Sequence, residues 1–194
     1  RFHWGTVLQF VGICIFHAGS FYIALVYLVS WVQTFNHVPA STALTINTIS
    51  MGITVICSCI SGHLSDKIGR KTLMVVTSAA CALSALPLFW FMRGAMFWYG
   101  TPHFELGQII FAVLLGLYYG SLPALLVELA PPSVKCTAVA LGYNLAYGLL
   151  GGLSPLIATW LVSGTGYAAA PSIWIIICAL VTLLTLTTVK SPGR

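Results

Sequence analysis

The segment from Gly62 to Lys71, GHLSDKIGRK, concentrates charge and has the residue types for electrostatic contacts. It holds Asp66, one of three acidic residues among 194, and three of the eight basic ones. The basic residues are Lys67, Arg70 and Lys71. Gly62 and Gly69 permit a tight reversal and the close approach of a helix, and Asp66 suits a helix N-terminus, where the dipole favours an anion. The plainer interpretation is a basic turn with an incidental aspartate.

His17 lies near the middle of an apolar run that is long enough to cross a membrane. On a straight helix, where each residue advances about 100°, it shares an arc of about 80° with four other side chains. These are Gln9, Ser20, Tyr27 and Trp31. An ionisable group at membrane depth usually faces a bundle interior or a wet cavity, and an imidazole can change its charge near physiological pH. Two roles stay open, a proton carrier or a neutral histidine bonded to a neighbouring helix, and the pattern favours the second.

Polar or aromatic side chains also share a face on three further apolar runs, and these are candidates to line a solute path. The candidates are Asn47 on the second run, Tyr119 on the fourth, and Tyr143, Asn144 and Tyr147 on the fifth. The face around Asn47 is rich in serine and threonine, so hydrogen bonding between helices explains it equally well. The tyrosines suit a cationic solute, because aromatic rings hold a quaternary ammonium group.

The chain that carries these residues has the composition of a membrane protein. Hydrophobic residues make up 59% of it and charged residues 6%, whereas an ordinary soluble domain is about 25% charged. A spanning helix needs about 20 apolar residues. Six windows qualify, at 4–31, 41–62, 72–92, 107–128, 136–163 and 171–189. No break between them is long enough for a second domain, so the sequence predicts an all-α membrane protein in which residues 1–194 form a single six-helix transmembrane bundle.

Composition also argues against several functional classes. Eight scattered basic residues form no dense basic face, so nucleic acid is not an expected partner. A membrane hydrolase needs a nucleophile, a base and a carboxylate, or a metal set, within reach. The ionisable groups inside the apolar runs at neutral pH are His17 and, at a helix end, Glu128. The six cysteines lie in or beside apolar runs, where cysteine behaves as a small hydrophobe. We therefore expect no enzyme activity, metal site, disulfide or cofactor.

The distribution of basic residues predicts the orientation in the membrane, because short loops rich in Lys and Arg stay in the cytoplasm. One side of the six predicted spans carries Arg1, Lys67, Arg70, Lys71, Lys135, Lys190 and Arg194, and the other side carries Arg93. An even number of spans places both ends of the chain on the same side. We therefore expect a multi-pass protein with both termini in the cytoplasm.

The segment 62–71 resembles the signature loop of the major facilitator superfamily, G-x-L-[AS]-D-[RK]-x-G-[RK]-[RK], and matches it at every defined position. In that family the loop lies between the second and third helices of a six-helix half and acts as a gating element. The resemblance implies that Asp66 contacts neighbouring helix ends on the cytoplasmic side and stabilises the outward-facing state. It implies shaping roles for Gly62 and Gly69 and cationic roles for Lys67, Arg70 and Lys71.

Residues 118–160 are similar to the second half of the metabolite:proton symporters, and most similar among them to the proline/betaine transporters. The similarity runs through YYGSLPA at 118–124, Glu128, Pro131 and GYNLA at 142–146. Those proteins usually have two arginines before the fifth helix, where this chain has Ser133 and Lys135. The resemblance implies a cytoplasmic charge network of Glu128 and Lys135 that lacks one cation. First halves usually carry an arginine in the fourth helix, and none is present here, so the chain resembles a C-terminal half.

The resemblance implies a secondary transporter of the inner or plasma membrane that couples a proton to a small polar solute by alternating access. Proline or glycine betaine is the first solute expected, and 2-oxoglutarate or another carboxylate is the alternative. A carboxylate site needs a buried arginine or lysine, and no apolar run has a central one. The implied partners are the solute, the lipid bilayer, and the N-terminal six-helix half of the same transporter or a second half. A non-transporting remnant is the other alternative, which Ser133 supports.

Overall fold

Six long helices run back and forth through the structure, a computed structural model that describes residues 4–94 and 103–189. They are α1 (Trp4–Asn36), α2 (Ala40–Ile68), α3 (Arg70–Met92), α4 (Phe104–Leu129), α5 (Pro132–Thr165) and α6 (Pro171–Thr188). Each is long and apolar enough to cross a membrane, and the two described ranges contain no strand. This confirms the predicted all-α membrane fold with six spans. Three residues used to predict the orientation, Arg1, Lys190 and Arg194, lie outside the described ranges.

Helix ends follow local backbone constraints. α1 runs past the predicted end at residue 31 to Asn36, where His37 adopts a left-handed conformation with φ 55° and donates its N–H to the carbonyl of Val32. This is a common way for a helix to end, because it satisfies one of the last carbonyl groups. α5 begins earlier than predicted, at Pro132, with a short 3₁₀ turn. Proline suits a first helical position because its missing N–H has no helical partner there.

The segment 62–71 is helical except at one residue, which corrects the expected turn. α2 continues through Gly62 to Ile68, and α3 begins at Arg70. Gly69 alone separates them, with φ 94°, a conformation that residues with a side chain rarely adopt. The reversal is therefore made at Gly69, while Gly62 lies within a helix. Asp66 lies in the last turn of α2, not at a helix N-terminus.

The helices differ in how much of their surface the bundle covers. In the most apolar window of α1, 67% of the residues are buried, against 22% in α2 and in α5. α1 packs on α5 and α6, α2 packs on α4, and α3 packs on α4 and α6. α1 is thus the central helix of the bundle. α2 and α5 each leave a long side uncovered.

Small residues let α2 and α4 approach closely. A Cβ atom on Gly120 would lie 2.1 Å from the carbonyl oxygen of Ser58, and one on Gly116 would lie 2.6 Å from another backbone carbonyl oxygen of α2. The hydroxyl of Ser61 donates across the contact to the carbonyl of Leu117. The polar face predicted on the second span therefore serves in large part for hydrogen bonds between helices, which is one of the two explanations that the sequence left open.

The two ends of the bundle are held by different polar contacts. Lys71 Nζ donates to the carbonyl oxygen of Val189 at 2.6 Å, so the start of α3 lies beside the end of α6. Arg70 pairs with Glu128, which brings the end of α4 to the same place. At the opposite end, Arg93 donates to a backbone carbonyl in the last turn of α1 at 3.2 Å. The described basic residues thus divide four to one, with Lys67, Arg70, Lys71 and Lys135 at the first end and Arg93 at the other.

A buried amide pair between α2 and α4 gives a first prediction. Gln108 Nε2 donates to Asn47 Oδ1 at 2.7 Å and approaches the carbonyl oxygen of Ala24 at 3.4 Å. Both amide side chains are buried. Gln108→Leu leaves the Asn47 amide without this partner in the interior, so we expect the free energy of unfolding to fall by about 1–3 kcal/mol. Denaturant or thermal unfolding in detergent measures it.

The double variant Asn47→Leu/Gln108→Leu is the control for this prediction. Replacing both partners by apolar groups of similar size leaves neither amide unpaired, and such exchanges are close to neutral. We therefore expect the double variant to recover most of the stability that Gln108→Leu loses. A double variant less stable than the single one would contradict this account.

Candidate functional site

A cavity of about 450 Å³ opens between α1, α2, α4 and α5. This volume is within the range of small-molecule binding sites. Its lining is mainly aromatic and apolar and consists of His17, Phe21, Tyr22, Leu25, Met51, Thr54, Val55, Ser58, Tyr119, Tyr143 and Tyr147. Four predicted solute-path residues therefore meet in one place, from three different helices. They are His17, Tyr119, Tyr143 and Tyr147.

Two of the helices that bound the cavity change their hydrogen-bond pattern beside it. α1 is π-helical over Tyr22–Tyr27, and α5 is π-helical over Leu145–Gly151. A π-helical turn is usually a local insertion in an α-helix and is frequently found at functional sites. Tyr22 and Tyr147 belong to these segments, and both line the cavity. The irregular turns therefore present aromatic side chains to the same space.

A hydroxyl from α6 also bonds to the backbone of α1 just before His17. The N–H of Phe16 donates to Thr182 Oγ1 at 3.2 Å, and this hydroxyl donates to the carbonyl of Gly12 at 2.7 Å. The Thr182 hydroxyl of α6 thereby bridges the backbone N–H of Phe16 and the carbonyl of Gly12, four residues earlier on α1. His17 thus lies between the contact with Thr182 and the π-helical segment.

His17 is almost fully enclosed, with 2% of its surface exposed. Its Nδ1 atom lies 2.6 Å from the hydroxyl oxygen of Tyr147 on α5. Its Nε2 atom is buried and makes no hydrogen bond within the described part of the chain. One nitrogen therefore has the contact expected of a histidine bonded to a neighbouring helix. The other nitrogen, Nε2, has no hydrogen-bond partner among the described residues.

The tyrosines form a cluster of rings around the imidazole. The rings of Tyr143 and Tyr147 are stacked, with centroids 4.1 Å apart and an interplanar angle of 17°. The ring of Tyr119 lies 4.8 Å from that of His17, and the ring of Tyr118 lies 6.2 Å away on the core side. Tyr118 is held there by its hydroxyl, which donates to the carbonyl of Ile13 at 2.6 Å. The cavity therefore offers electron-rich ring faces and one uncommitted imidazole nitrogen.

The side chains that line the cavity are polar, aromatic or apolar, and none carries a full charge. None of the residues that line the cavity is Asp, Glu, Lys or Arg. Aromatic faces attract cations, and most strongly when water is excluded. A polar solute with a cationic group matches this lining, whereas a solute with several negative charges meets no basic side chain in it.

Three predicted solute-path residues lie elsewhere. Tyr27 lines a separate pocket farther along α1, beside Thr159. The side chain of Asn47 is bonded to Gln108. Asn144 is exposed, and its amide donates to a carbonyl of its own helix at 2.8 Å. Tyr27 lies ten residues beyond His17, about 15 Å along the helix axis, and therefore beyond the cavity.

The structure adds cavity residues that the sequence did not single out. Phe21 and Tyr22 on α1 and Met51 on α2 belong to the lining. Phe21 and Met51 are apolar, so they share no property with a polar face. Tyr22 lies at the start of the irregular turn of α1. The one available signal was the grouping of aromatic residues at 21, 22 and 27 on a single span.

A second cluster, of opposite charges, lies where α2, α3 and α4 end or begin. Arg70 Nη2 lies 3.2 Å from Asp66 Oδ1, and Arg70 Nη1 contacts Glu128. We expected Glu128 to share its network with Lys135, but the structure pairs it with Arg70, which corrects that expectation. The Asp66 side chain is 63% exposed. The pairs therefore add little stability on their own, and a shift between helix ends would separate them.

Comparison with known proteins places these features in a family context. A profile of the Major Facilitator Superfamily matches residues 9–194. Similar proteins include a glycine betaine/proline/ectoine/pipecolic acid transporter of Dickeya dadantii, 28% identical over 187 residues, which are 94% of this chain and 36% of that protein. A proline/betaine transporter of Escherichia coli K12 is 26% identical over 196 residues, which cover 99% of this chain and 37% of that protein. A citrate-proton symporter of Salmonella typhi is 29% identical over 165 residues, which are 83% of this chain and 36% of that protein. The chain spans little more than a third of the length of each.

Proposed function

This chain belongs to the Major Facilitator Superfamily, and from that premise we propose that it forms the C-terminal six-helix half of a proton-coupled symporter for a zwitterionic osmolyte such as proline or glycine betaine. In such transporters the solute site lies near the membrane midplane between two bundles, and access alternates as one bundle rocks against the other. The cavity between α1, α2, α4 and α5 is the part of that site that this chain supplies.

The observation that carries this proposal is the aromatic cluster around His17. Its rings suit the ammonium group of a zwitterion, and the lining contains no side chain with a full charge. A net neutral solute loses less solvation energy in such a cavity than an anion does. The names of the betaine and proline transporters among the relatives agree with this chemistry.

A carboxylate solute is the second candidate, and the citrate-proton symporter among the relatives favours it. Bound carboxylates are usually paired with arginine or lysine. Here that cation has to come from outside the cavity lining that this chain provides. The zwitterion is the better match, because its ammonium and carboxylate largely balance each other.

We further propose that the missing bundle packs on the uncovered sides of α2 and α5. Three helical glycines there, Gly52, Gly148 and Gly152, have no atom within 4 Å of the position that a Cβ would take. Small residues on a membrane helix allow another helix to approach closely. The same two helices bound the cavity, so a second bundle on this side would close it.

For the membrane, we propose the inner or plasma membrane with both chain termini in the cytoplasm. The described basic residues cluster at the end of the bundle where α2 meets α3 and α4 meets α5. Short segments rich in lysine and arginine remain in the cytoplasm. The signature segment 62–71 would then face the cytoplasm. Cysteine labelling of single variants at that end, from either side of intact cells, tests this orientation.

Uptake of labelled solutes by the full-length protein tests the proposed function. An immunoblot with an antibody to residues of α6 first gives the mass of the natural polypeptide, and we expect between two and three times the 20.8 kDa of this chain, because the chain spans little more than a third of each relative. The purified protein in proteoliposomes should then accumulate betaine or proline when an inward proton gradient is imposed. Accumulation of citrate or 2-oxoglutarate alone would favour the second candidate. A lack of uptake for all four solutes would support a non-transporting remnant.

Gating by the signature segment gives a second prediction. Asp66→Asn removes one charge from the cluster with Arg70 and Glu128, which we expect to hold one conformation of the cycle. Maximal uptake should fall by about tenfold, equivalent to about 1.4 kcal/mol, with less than about a twofold change in solute affinity. The change in unfolding free energy should stay below about 1 kcal/mol, because exposed ion pairs contribute little.

Glu105→Gln is the matched control for that prediction, because it neutralises an acidic residue at the opposite end of α4. Its uptake kinetics should match those of the unmodified protein. Unchanged maximal uptake in Asp66→Asn, or an equal loss in Glu105→Gln, would remove the gating role from Asp66.

A further inference from the structure

We propose that His17 donates its Nε2–H to the carboxylate of the solute, whose ammonium group lies against the stacked rings of Tyr143 and Tyr147. This assignment rests on the proposed function, in that it takes the solute to be a zwitterion. It names the group that recognises the negative end of that solute. It also explains how a cavity without lysine or arginine receives a carboxylate.

The contact with Tyr147 sets which imidazole nitrogen carries the hydrogen. His17 Nδ1 and the Tyr147 hydroxyl oxygen are 2.6 Å apart. A phenol is a stronger acid than the N–H of a neutral imidazole, so the phenol is the donor and Nδ1 the acceptor. The bond made by one ring nitrogen fixes the state of the other. In a neutral imidazole the hydrogen then resides on Nε2, which becomes a donor.

That donor has no partner in the part of the chain that the structure describes. Leaving a buried donor unpaired costs about 1–3 kcal/mol, and a buried polar group without a partner calls for a specific explanation. The residue is 2% exposed and also lines the cavity. A solute oxygen that enters this cavity can supply the missing acceptor. Hydrogen bonds to a charged acceptor are about twice as strong as neutral ones.

Because Nε2 is covered, a side chain next to His17 has to move before a solute can reach this donor. The ring of Tyr119, 4.8 Å from the imidazole, is the nearest of the rings around His17, and Nε2 is closed to water in this conformation. Tyr119 is the last residue before the turn at Gly120 and Ser121, where α4 is interrupted. A rotation of the Tyr119 side chain at this interruption would open a path from the cavity to Nε2. The carboxylate then meets the Nε2 edge of the imidazole, while Nδ1 keeps its bond to Tyr147.

Binding of glycine betaine and choline to the full-length transporter tests this inference. Both ligands carry the same trimethylammonium group, but choline has a hydroxyl where betaine has the carboxylate. For His17→Leu we expect betaine affinity to fall by about 10- to 100-fold, the range for a lost hydrogen bond to a charged group. Choline affinity should change by less than about threefold. The ratio of the two affinities is therefore the quantity to compare.

Three more variants test the same inference if His17→Leu disturbs folding. His17→Gln places an amide N–H near the position of Nε2 and should restore most of the preference for betaine. Tyr147→Phe releases Nδ1, so the imidazole no longer favours one tautomer, and the preference should fall by a smaller factor. Ser50→Ala is the control. It removes a different buried polar group without a partner, the Ser50 hydroxyl, which does not line the cavity. This variant should leave the ratio of betaine to choline affinity unchanged.

The outcomes separate this inference from the proposed function. Equal losses of betaine and choline in His17→Leu, or an unchanged preference, would overturn the role of His17 while leaving the transporter assignment intact. Failure of His17→Gln to recover any preference over His17→Leu would also overturn it. If the unmodified protein binds neither betaine nor proline, the assignment of a zwitterionic solute is wrong, and the inference fails together with the proposed function.

Discussion

Gly120→Ala should strongly destabilise the bundle. The new Cβ would lie 2.1 Å from the Ser58 carbonyl oxygen and 3.0 Å from the Gly62 nitrogen, both backbone atoms that cannot rotate away. α2 and α4 would have to separate, which also stretches the bond from Ser61 to the Leu117 carbonyl. Overpacking costs about 1–3 kcal/mol and sometimes more, and a lost interhelical bond adds about 1 kcal/mol.

The expected total is a loss of about 2–4 kcal/mol in the free energy of unfolding. Thermal unfolding in detergent and the yield of monodisperse protein measure it. Gly62→Ala is the matched comparison on the facing helix, because the nearest atom to its Cβ would be the Gly120 carbonyl oxygen at 4.0 Å. Gly5→Ala, with no atom within 4 Å, serves as the neutral control. Equal stabilities for Gly120→Ala and Gly62→Ala would contradict this packing of α2 on α4.

This contrast shows what the signature motif does and does not reveal. Gly62 is a defined position of the motif, whereas Gly120 lies outside it. The structure gives the tight contact to Gly120 and leaves ordinary space at Gly62. Which glycine is indispensable depends on the distance between two helices that are distant in sequence. No property of either segment alone fixes that distance.

The spans themselves could be predicted from length and hydropathy, since backbone groups in a bilayer have to be satisfied within a helix. The ends were less predictable. α2 runs to Ile68 because the residues after Gly62 include no helix breaker before Gly69, although they are polar enough to suggest a loop. Polarity marks where a helix leaves the apolar layer. Backbone conformation, here the positive φ of Gly69, marks where it stops.

On α1, the site residues could be predicted only as far as the helix stays regular. The faces containing His17 and Tyr147 were found by counting at a constant angle per residue, and the structure brings them together. The count fails beyond Tyr22 on α1, where the helix becomes π-helical. Trp31, counted with His17, instead packs in the core and donates to the Ala168 carbonyl at 2.7 Å. A local insertion of this kind leaves no periodic trace in the sequence.

The aromatic cluster gives the last prediction, for the double variant Tyr143→Leu/Tyr147→Leu. Leucine keeps the apolar volume but removes both stacked ring faces. A desolvated contact between a cation and an aromatic face contributes about 2 kcal/mol, and two rings stacked 4.1 Å apart cannot both present a face to one cation, so losing the pair should weaken glycine betaine binding by about 10- to 30-fold. Uptake and equilibrium binding of betaine measure the loss. The double variant Tyr143→Phe/Tyr147→Phe keeps both rings and should lose only the smaller factor that we expect when the bond from Tyr147 to His17 is removed.

A third tyrosine makes this prediction specific to the cavity. Tyr27→Leu removes a ring from the same helix as His17, but that ring lines a different pocket. If the cavity holds the ammonium group, Tyr27→Leu should bind betaine within about threefold of the unmodified protein, while the double leucine variant does not. If instead the straight-helix face of α1 lines the path, Tyr27→Leu should weaken binding as strongly as a single cavity tyrosine does. The comparison therefore decides whether the irregular turns of α1 and α5 or the regular faces of these helices form the solute site.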